Sequence, residues 1–298
     1  MTQTYFLGAN SRDGFASLYS GFPGGEGDFL HIVKGGPGTG KSGFMRRIGQ
    51  AAEERGLDVH YVLCSGDPAS LDGVYLPALR LAWVDGTAPH TAEPRAFGVD
   101  SDYVNLGVFC CTPFSRTDRA EIEQLTKSYR GLYGAAYRAL AEVRCEERSP
   151  GLSHGAAELP EALEERRARP SPPDRRFLRA ISCEGEIDLS GEAEALCPDM
   201  RIVSRAVLGA VSREAERRRL PALRCCSALD ASQLEALLFP WAGLAFRVDT
   251  VYRGLEPAVE KLRSAKLLHD EIEAIVRPYM DFAGLSDFTE KTVGDLFG

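Results

Sequence analysis

Apolar and polar residues change their spacing several times along this chain, and each change marks an expected element. Phe29-Leu30-His31-Ile32-Val33 is a short run of branched and aromatic residues, which predicts a buried strand. A glycine-rich stretch, 35–40, follows. From Lys41 to about residue 55 the apolar residues Phe44, Met45, Ile48, Ala51 and Ala52 recur at spacings of three and four, the mark of a helix with one buried face. Gly56 is placed to stop it. Residues 59–64 predict a second strand and 79–84 a third, closed by Asp85-Gly86. Leu71–Leu76, just before Pro77, is expected to form a short helical turn. This order predicts a three-layer α/β domain with a mainly parallel sheet.

Between 117 and about 148 the residues Ile122, Leu125, Tyr129, Leu132, Ala136, Leu140 and Val143 keep helical spacing, so a long helix with an internal packing face is expected. The composition then shifts. Pro150, Gly151, Pro160, Pro170, Pro172 and Pro173 stand among many charges, which reads as a linker over 149–176 with a short helix at 161–167. The chain thus divides into a first half at 1–148 (which holds the glycine-rich stretch), the linker, and a second half at 177–298.

The second half repeats the first. At an offset of 163 residues Asp67 falls on Asp230, Leu71 on Leu234, Pro77 on Pro240, Leu81 on Leu244, Ala82 on Ala245, Trp83 on Phe246 and Thr87 on Thr250, without a gap. Arg55 and Leu57 meet Arg218 and Leu220. Phe6-Leu7 and Gly14 meet Phe177-Leu178 and Gly185 at an offset of 171, so about eight residues are missing in between. Duplication is the expected origin. Lys41 falls on Ser204, and the second half is expected to be a degenerate copy without the glycine-rich loop.

That loop carries the chemistry. Gly35-Gly36-Pro37-Gly38-Thr39-Gly40-Lys41-Ser42 fits the Walker A pattern. Triphosphate oxygens need close backbone N–H donors, so side chains in the loop must be few and small. The helix that follows turns its free N–H groups and positive dipole end toward the anion. Lys41 is expected to reach the β- and γ-phosphates and the Ser42 hydroxyl to ligate Mg²⁺. The metal also needs a carboxylate, and Asp85 at a strand end is the candidate; Asp-Gly is also a common turn dipeptide. Gly86 stands where many motor ATPases carry a glutamate. Asp67 could approach the γ-phosphate as a catalytic group, as could Asp72 or His90; its recurrence as Asp230 equally suits a structural turn.

Charge and composition narrow the setting. The formal charge of −8 and isoelectric point near 5.3 argue against nucleic acid and acidic membranes as partners. The densest basic run, Arg217-Arg218-Arg219, reads as a solvated helix end. The N-terminal residues do not form a secretory signal, and no apolar stretch reaches bilayer length, so a cytoplasmic protein is expected. None of the eight cysteines is spaced Cys-x-x-Cys, and free thiols are the expectation.

Phe6-Leu7-Gly8-Ala9-Asn10, residues 34–42, Ser70-Leu71-Asp72-Gly73-Val74 and Asp85-Gly86-Thr87-Ala88-Pro89-His90 together resemble an uncharacterised bacterial ATP-binding P-loop NTPase family built of two tandem halves. The resemblance is dense over 5–107 and weaker over roughly 175–280. It implies ATP binding and ATPase activity and supplies no substrate; the shortened second half departs from the longer members. The leading expectation is a Mg²⁺-dependent ATPase that couples nucleotide state to a conformational change, with a protein partner or a second copy allowed. A P-loop kinase acting on a small molecule and a non-hydrolysing nucleotide sensor stay open beside it.

Overall fold

The computed structural model describes residues 2–88, 92–94, 96–148 and 174–298. Most of the expected linker, its helix at 161–167 and His90 lie outside them. The first half runs β1 (Gln3–Phe6), β2 (Gly8–Ser11), β3 (Gly14–Ser17), β4 (Phe29–Lys34), α1 (Lys41–Glu53), β5 (His60–Leu63), β6 (Leu71–Leu76), β7 (Leu81–Asp85), β8 (Ser101–Asn105), α2 (Arg116–Ala141) and β9 (Arg144–Glu147). The second runs β10 (Arg175–Phe177), β11 (Arg179–Ser182), β12 (Gly185–Asp188), α3 (Ser190–Leu196), β13 (Asp199–Ile202), α4 (Arg205–Arg217), β14 (Leu223–Cys226), β15 (Leu234–Phe239), β16 (Leu244–Arg247), β17 (Thr250–Arg253), α5 (Glu256–Val276) and α6 (Phe282–Phe297). No helix among the described residues is long and apolar enough to cross a membrane.

Three local expectations change. Leu71–Leu76 is a strand, not a helical turn, and all six of its residues are buried. A strand covered on both faces loses the alternation that would reveal it. The long helix ends at Ala141, and Arg144–Glu147 pairs antiparallel with β17 instead of prolonging it. The last residues of the expected linker, Arg175 and Arg176, belong to β10.

One 11-stranded sheet runs through both halves in the order β13-β16-β15-β14-β10-β1-β5-β6-β7-β4-β8. It is mixed, with β5, β6 and β7 joined antiparallel while β1–β5, β4–β7 and β4–β8 are parallel. The links 64–70 and 77–80 are too short for the crossover that a parallel pair requires, so a mainly parallel sheet was ruled out locally. The architecture is mixed α/β and compatible with three layers.

The sheet has an approximate two-fold at its centre, where β1 and β10 pair antiparallel through Phe6 and Phe177, both fully buried. Outward from this seam the directions repeat: β10–β14 and β13–β16 are parallel, and β14, β15 and β16 are antiparallel. Even the irregularities recur. The bulge at Val62/Leu63 returns at Cys225/Cys226. The left-handed positions Gly56 (φ 70°) and Arg80 (φ 57°) return as Arg219 (φ 52°) and Gly243 (φ 64°) at the offset of 163, and Gly14 (φ 110°) as Gly185 (φ 117°) at 171. Gly56 and Arg219 close α1 and α4 alike: Leu57 N–H donates to Ala52 O and Leu220 N–H to Ala215 O.

The register shows where residues were lost. Phe29 pairs with Leu81, and Asp199 with Leu244, so β4 and β13 match at an offset of 170. Across the helices the offset is 163. The gap therefore falls between the strand end and the helix start: β4 runs two residues further than β13, and six residues, Gly35 to Gly40, separate β4 from α1, whereas only Val203 and Ser204 separate β13 from α4.

The pleat sorts side chains to two faces. Val33, Val74 and Trp83 meet α1 together with Ile272 and Val276 of α5 and Leu285 and Val293 of α6, while Ile32, Tyr75, Ala82 and Val84 pack on Tyr19 and Phe22. The last two helices of the chain thus complete the core of the first half. The other end of α5, at Ala258, Val259 and Leu262, packs with α2 and with Ile181, Leu229 and Tyr252 of the second half. α5 spans from one half to the other.

Candidate functional site

β4 ends at Lys34 and the loop at residues 35–40 turns the chain into α1. Gly38 and Gly40 hold φ of 74° and 83°, conformations that side chains disfavour. Gly40 is the N-cap residue and offers no side-chain acceptor; the first-turn amides of α1 before Phe44 N–H, which donates to Gly40 O, lack a cap, and no acidic residue stands in that turn. α2, α4 and α6, by contrast, are capped by Ser115, Ser204 and Asp281. The Thr39 hydroxyl donates to Gly36 O at 2.8 Å and fixes the loop from within. Gly35, Gly36, Pro37 and Gly38 leave that turn almost free of side chains.

Lys41 folds back over the loop, its Nζ donating to Gly35 O and Gly36 O, both at 2.9 Å, and standing 3.6 Å from Asp85 Oδ2. Asp85 closes β7, the strand beside β4, and its Oδ1 accepts from Thr87 N–H at 2.8 Å. Its Oδ1 makes the Asx turn expected of Asp-Gly, and its Oδ2 faces Lys41. The Ser42 Oγ accepts from Leu71 N–H at 2.9 Å, tying α1 to the start of β6. Ser42, Lys41 and Asp85 are thus gathered at one end of two neighbouring parallel strands. A hydroxyl and a carboxylate are hard oxygen donors, which fit Mg²⁺.

Gly86 has no room for the glutamate of motor ATPases. A Cβ there would stand 2.4 Å from Ile32 Cγ2, and Lys34 Nζ donates to Gly86 O at 2.9 Å. Asp67 is engaged as a turn former: its carboxylate accepts from Ala69 N–H and from the Ser70 hydroxyl, and Lys266 Nζ lies 3.4 Å away. Asp230 makes the same turn with Ser232 and Gln233 in the second half. Asp72 is buried and accepts from the Tyr19 hydroxyl at 2.9 Å. Burial, followed by Asp72, pushes the Tyr19 phenol well above its ordinary range, and Asp85 contributes in the same direction.

From α5, Glu273 reaches the loop, with His269 and Asp270 beside it. Glu273 Oε1 accepts from Gly38 N–H at 3.2 Å, and a Cβ on Gly38 would meet the Glu273 backbone at 3.2 Å. His269 Nδ1 lies 3.7 Å from the same carboxylate oxygen. Burial lowers the His269 pKa against the pull of Glu273 and Asp270, and Lys41 lowers it further. One ligand atom each from His269, Asp270 and Glu273 lies within 4.8 Å of the others. α6 adds the outer wall, with Leu285 against Gly40, Phe288 stacked on Phe44, and Glu290 gripping Arg47 through two bonds of 2.7 and 3.0 Å. Sequence reasoning missed this wall; polar residues on one helix 235 positions away carry no local signal of what they face.

The described cavity of about 470 Å³ lies elsewhere, at the turn of the second half that matches residues 64–70. α5 and α6 touch the loop at Gly38 and Gly40, and Gly36 is exposed. Comparison of the chain with protein-family models, curated proteins and solved structures finds no match.

Proposed function

We propose that the protein binds ATP with Mg²⁺ at residues 35–42, and that it is an ATPase whose nucleotide state is coupled to a displacement of α5. The observation that carries this reading is the loop itself: an uncapped helix N-terminus behind two left-handed glycines, with Lys41 folded onto loop carbonyls and held near Asp85. Such a loop offers N–H groups to phosphate oxygens at little steric cost. Lys41 would exchange the carbonyls of Gly35 and Gly36 for the β- and γ-phosphates. Ser42 and Asp85 would hold Mg²⁺, which supplies charge neutralisation on the phosphates when bound.

Coupling follows from the seat of Glu273. Its carboxylate takes an N–H of the loop that a phosphate oxygen would also take. Two anions do not share one donor in a confined site, so nucleotide binding would release Glu273 and shift α5. Because α5 also packs with Ile181 and Tyr252, the shift would be felt in the second half.

A second reading, a nucleotide sensor without turnover, is favoured by Gly86, whose surroundings exclude a base directly after Asp85. Phosphate release from Mg-ATP by the full chain, beside Lys41→Ala, separates the readings. Turnover lost in the variant supports the ATPase. Tight binding without turnover supports the sensor, and phosphate transfer only when a metabolite is added supports a kinase. Absence of triphosphate binding overturns all three.

A further inference from the structure

The turns at 64–70 and 227–233 are built alike. Cys64 N–H donates to Ser70 O at 3.0 Å and Ser227 N–H to Gln233 O at 2.9 Å; Ser70 N–H donates to Asp67 O at 2.8 Å and Gln233 N–H to Asp230 O at 3.0 Å. Their surroundings differ. In the first half Lys266 stands on Asp67, and a Cβ on Gly66 would lie 2.6 Å from the Tyr133 hydroxyl, so α2 and α5 fill the space. In the second half the same turn opens on the cavity of about 470 Å³, a volume suited to a small molecule.

Charges around this cavity are unequally matched. Glu147 lies 3.6 Å from Arg205, and Glu146 lies 3.4 Å from Arg253. Asp230 is taken up by Ser232 and Gln233, and Arg12 adds to the field around it. The acids are therefore engaged. Arg12 and Arg144 also line the cavity, and no salt bridge of 4.0 Å or less is found for either among the described residues. Moreover, the Arg12 Nε–H is buried with no acceptor. A buried orphan donor beside a cavity calls for a partner that the described residues do not supply. Arg12 is held there by its own backbone, which donates to Leu229 O at 3.1 Å across the seam between the halves.

We propose that this cavity binds a small molecule bearing an oxyanion, a phosphate or a carboxylate, with Arg12 and Arg144 as its ligands. Guanidinium groups recognise both anions through paired N–H donors. The site is separate from the loop at 35–42 and does not depend on nucleotide binding there. It gives the half without a glycine-rich loop a ligand of its own, at the turn equivalent to the one beside the first site.

Calorimetric titration of the full chain with glycerol 3-phosphate and, separately, with citrate tests the proposal. The expected result is saturable binding of at least one probe, weakened tenfold or more by Arg12→Gln and by the exposed Arg144→Gln, and unchanged in Lys41→Ala. The probe that binds identifies the anion. Saturable binding of neither probe overturns the proposal, as does binding that is abolished by Lys41→Ala and indifferent to both arginine variants.

Discussion

α1 and α4 follow matching strands and begin in opposite ways. α1 begins behind six loop residues, with Gly40 as a cap that has no side chain to offer; α4 begins after two, and the Ser204 hydroxyl accepts from Val207 N–H. The second helix satisfies its own first turn, and the first leaves those donors to something else. A glycine cap is weaker than a serine cap by only about 0.3 kcal/mol, so the contrast lies less in stability than in the N–H groups that α1 leaves open. The halves share strands, directions, bulge and helix ends. They differ at the loop and at what covers the two turns.

The seam between the halves is where the largest effect is expected. Phe6 and Phe177 face each other there without exposure. Phe177→Ala should lower unfolding stability by about 3–5 kcal/mol in denaturant titration, with Phe6→Ala similar. A loss confined to one of them would mean that the seam is not shared.

His60 and its counterpart Leu223 sharpen the contrast through pH. Burial, then Arg176, brings the His60 pKa down to about 3 from 6.5. The unfolded chain therefore binds the extra proton first, and stability should fall as pH drops from 6.5 toward 3, by about 1.4 kcal/mol per pH unit from this residue. His60→Leu should flatten that slope in chemical denaturation at pH 5 and 7. An unchanged slope would place the acid sensitivity elsewhere.

Glu273→Gln tests the seat on Gly38 N–H. Removing the charge should tighten Mg-ATP binding by up to about tenfold, since a charged hydrogen bond is worth more than a neutral one and this side chain is partly exposed. Weaker binding in the variant would instead make Glu273 a ligand of the bound state. The smallest effect concerns Arg219, which holds φ 52° where the first half has Gly56. Arg219→Gly should raise stability by roughly 0.5–1 kcal/mol, because glycine adopts that conformation without strain. A loss of stability would mean that the arginine side chain outweighs its backbone.

The loop at residues 35–42 was legible because its determinants are local: a strand, glycines, a lysine and an amphipathic helix in succession. The repeat was legible because strands keep their spacing, and Leu71–Leu76 lands on Leu234–Phe239. The same segment misled as a secondary-structure signal, since burial on both faces erased its alternation. The sheet's mixed character lay in loop lengths more than in residue types. Glu273 and His269 were out of reach, because only the tertiary path of α5 brings them to Gly38. The cavity at 227–233 was equally hidden, its Arg12 coming from the other half.

On the proposed reading, triphosphate binds at the first half's loop and nowhere else. Calorimetry with Mg-ATP on the full chain and on Lys41→Ala tests it most directly. The account predicts one triphosphate per chain and its loss in the variant. Two triphosphates per chain, none, or one that persists in Lys41→Ala would contradict it.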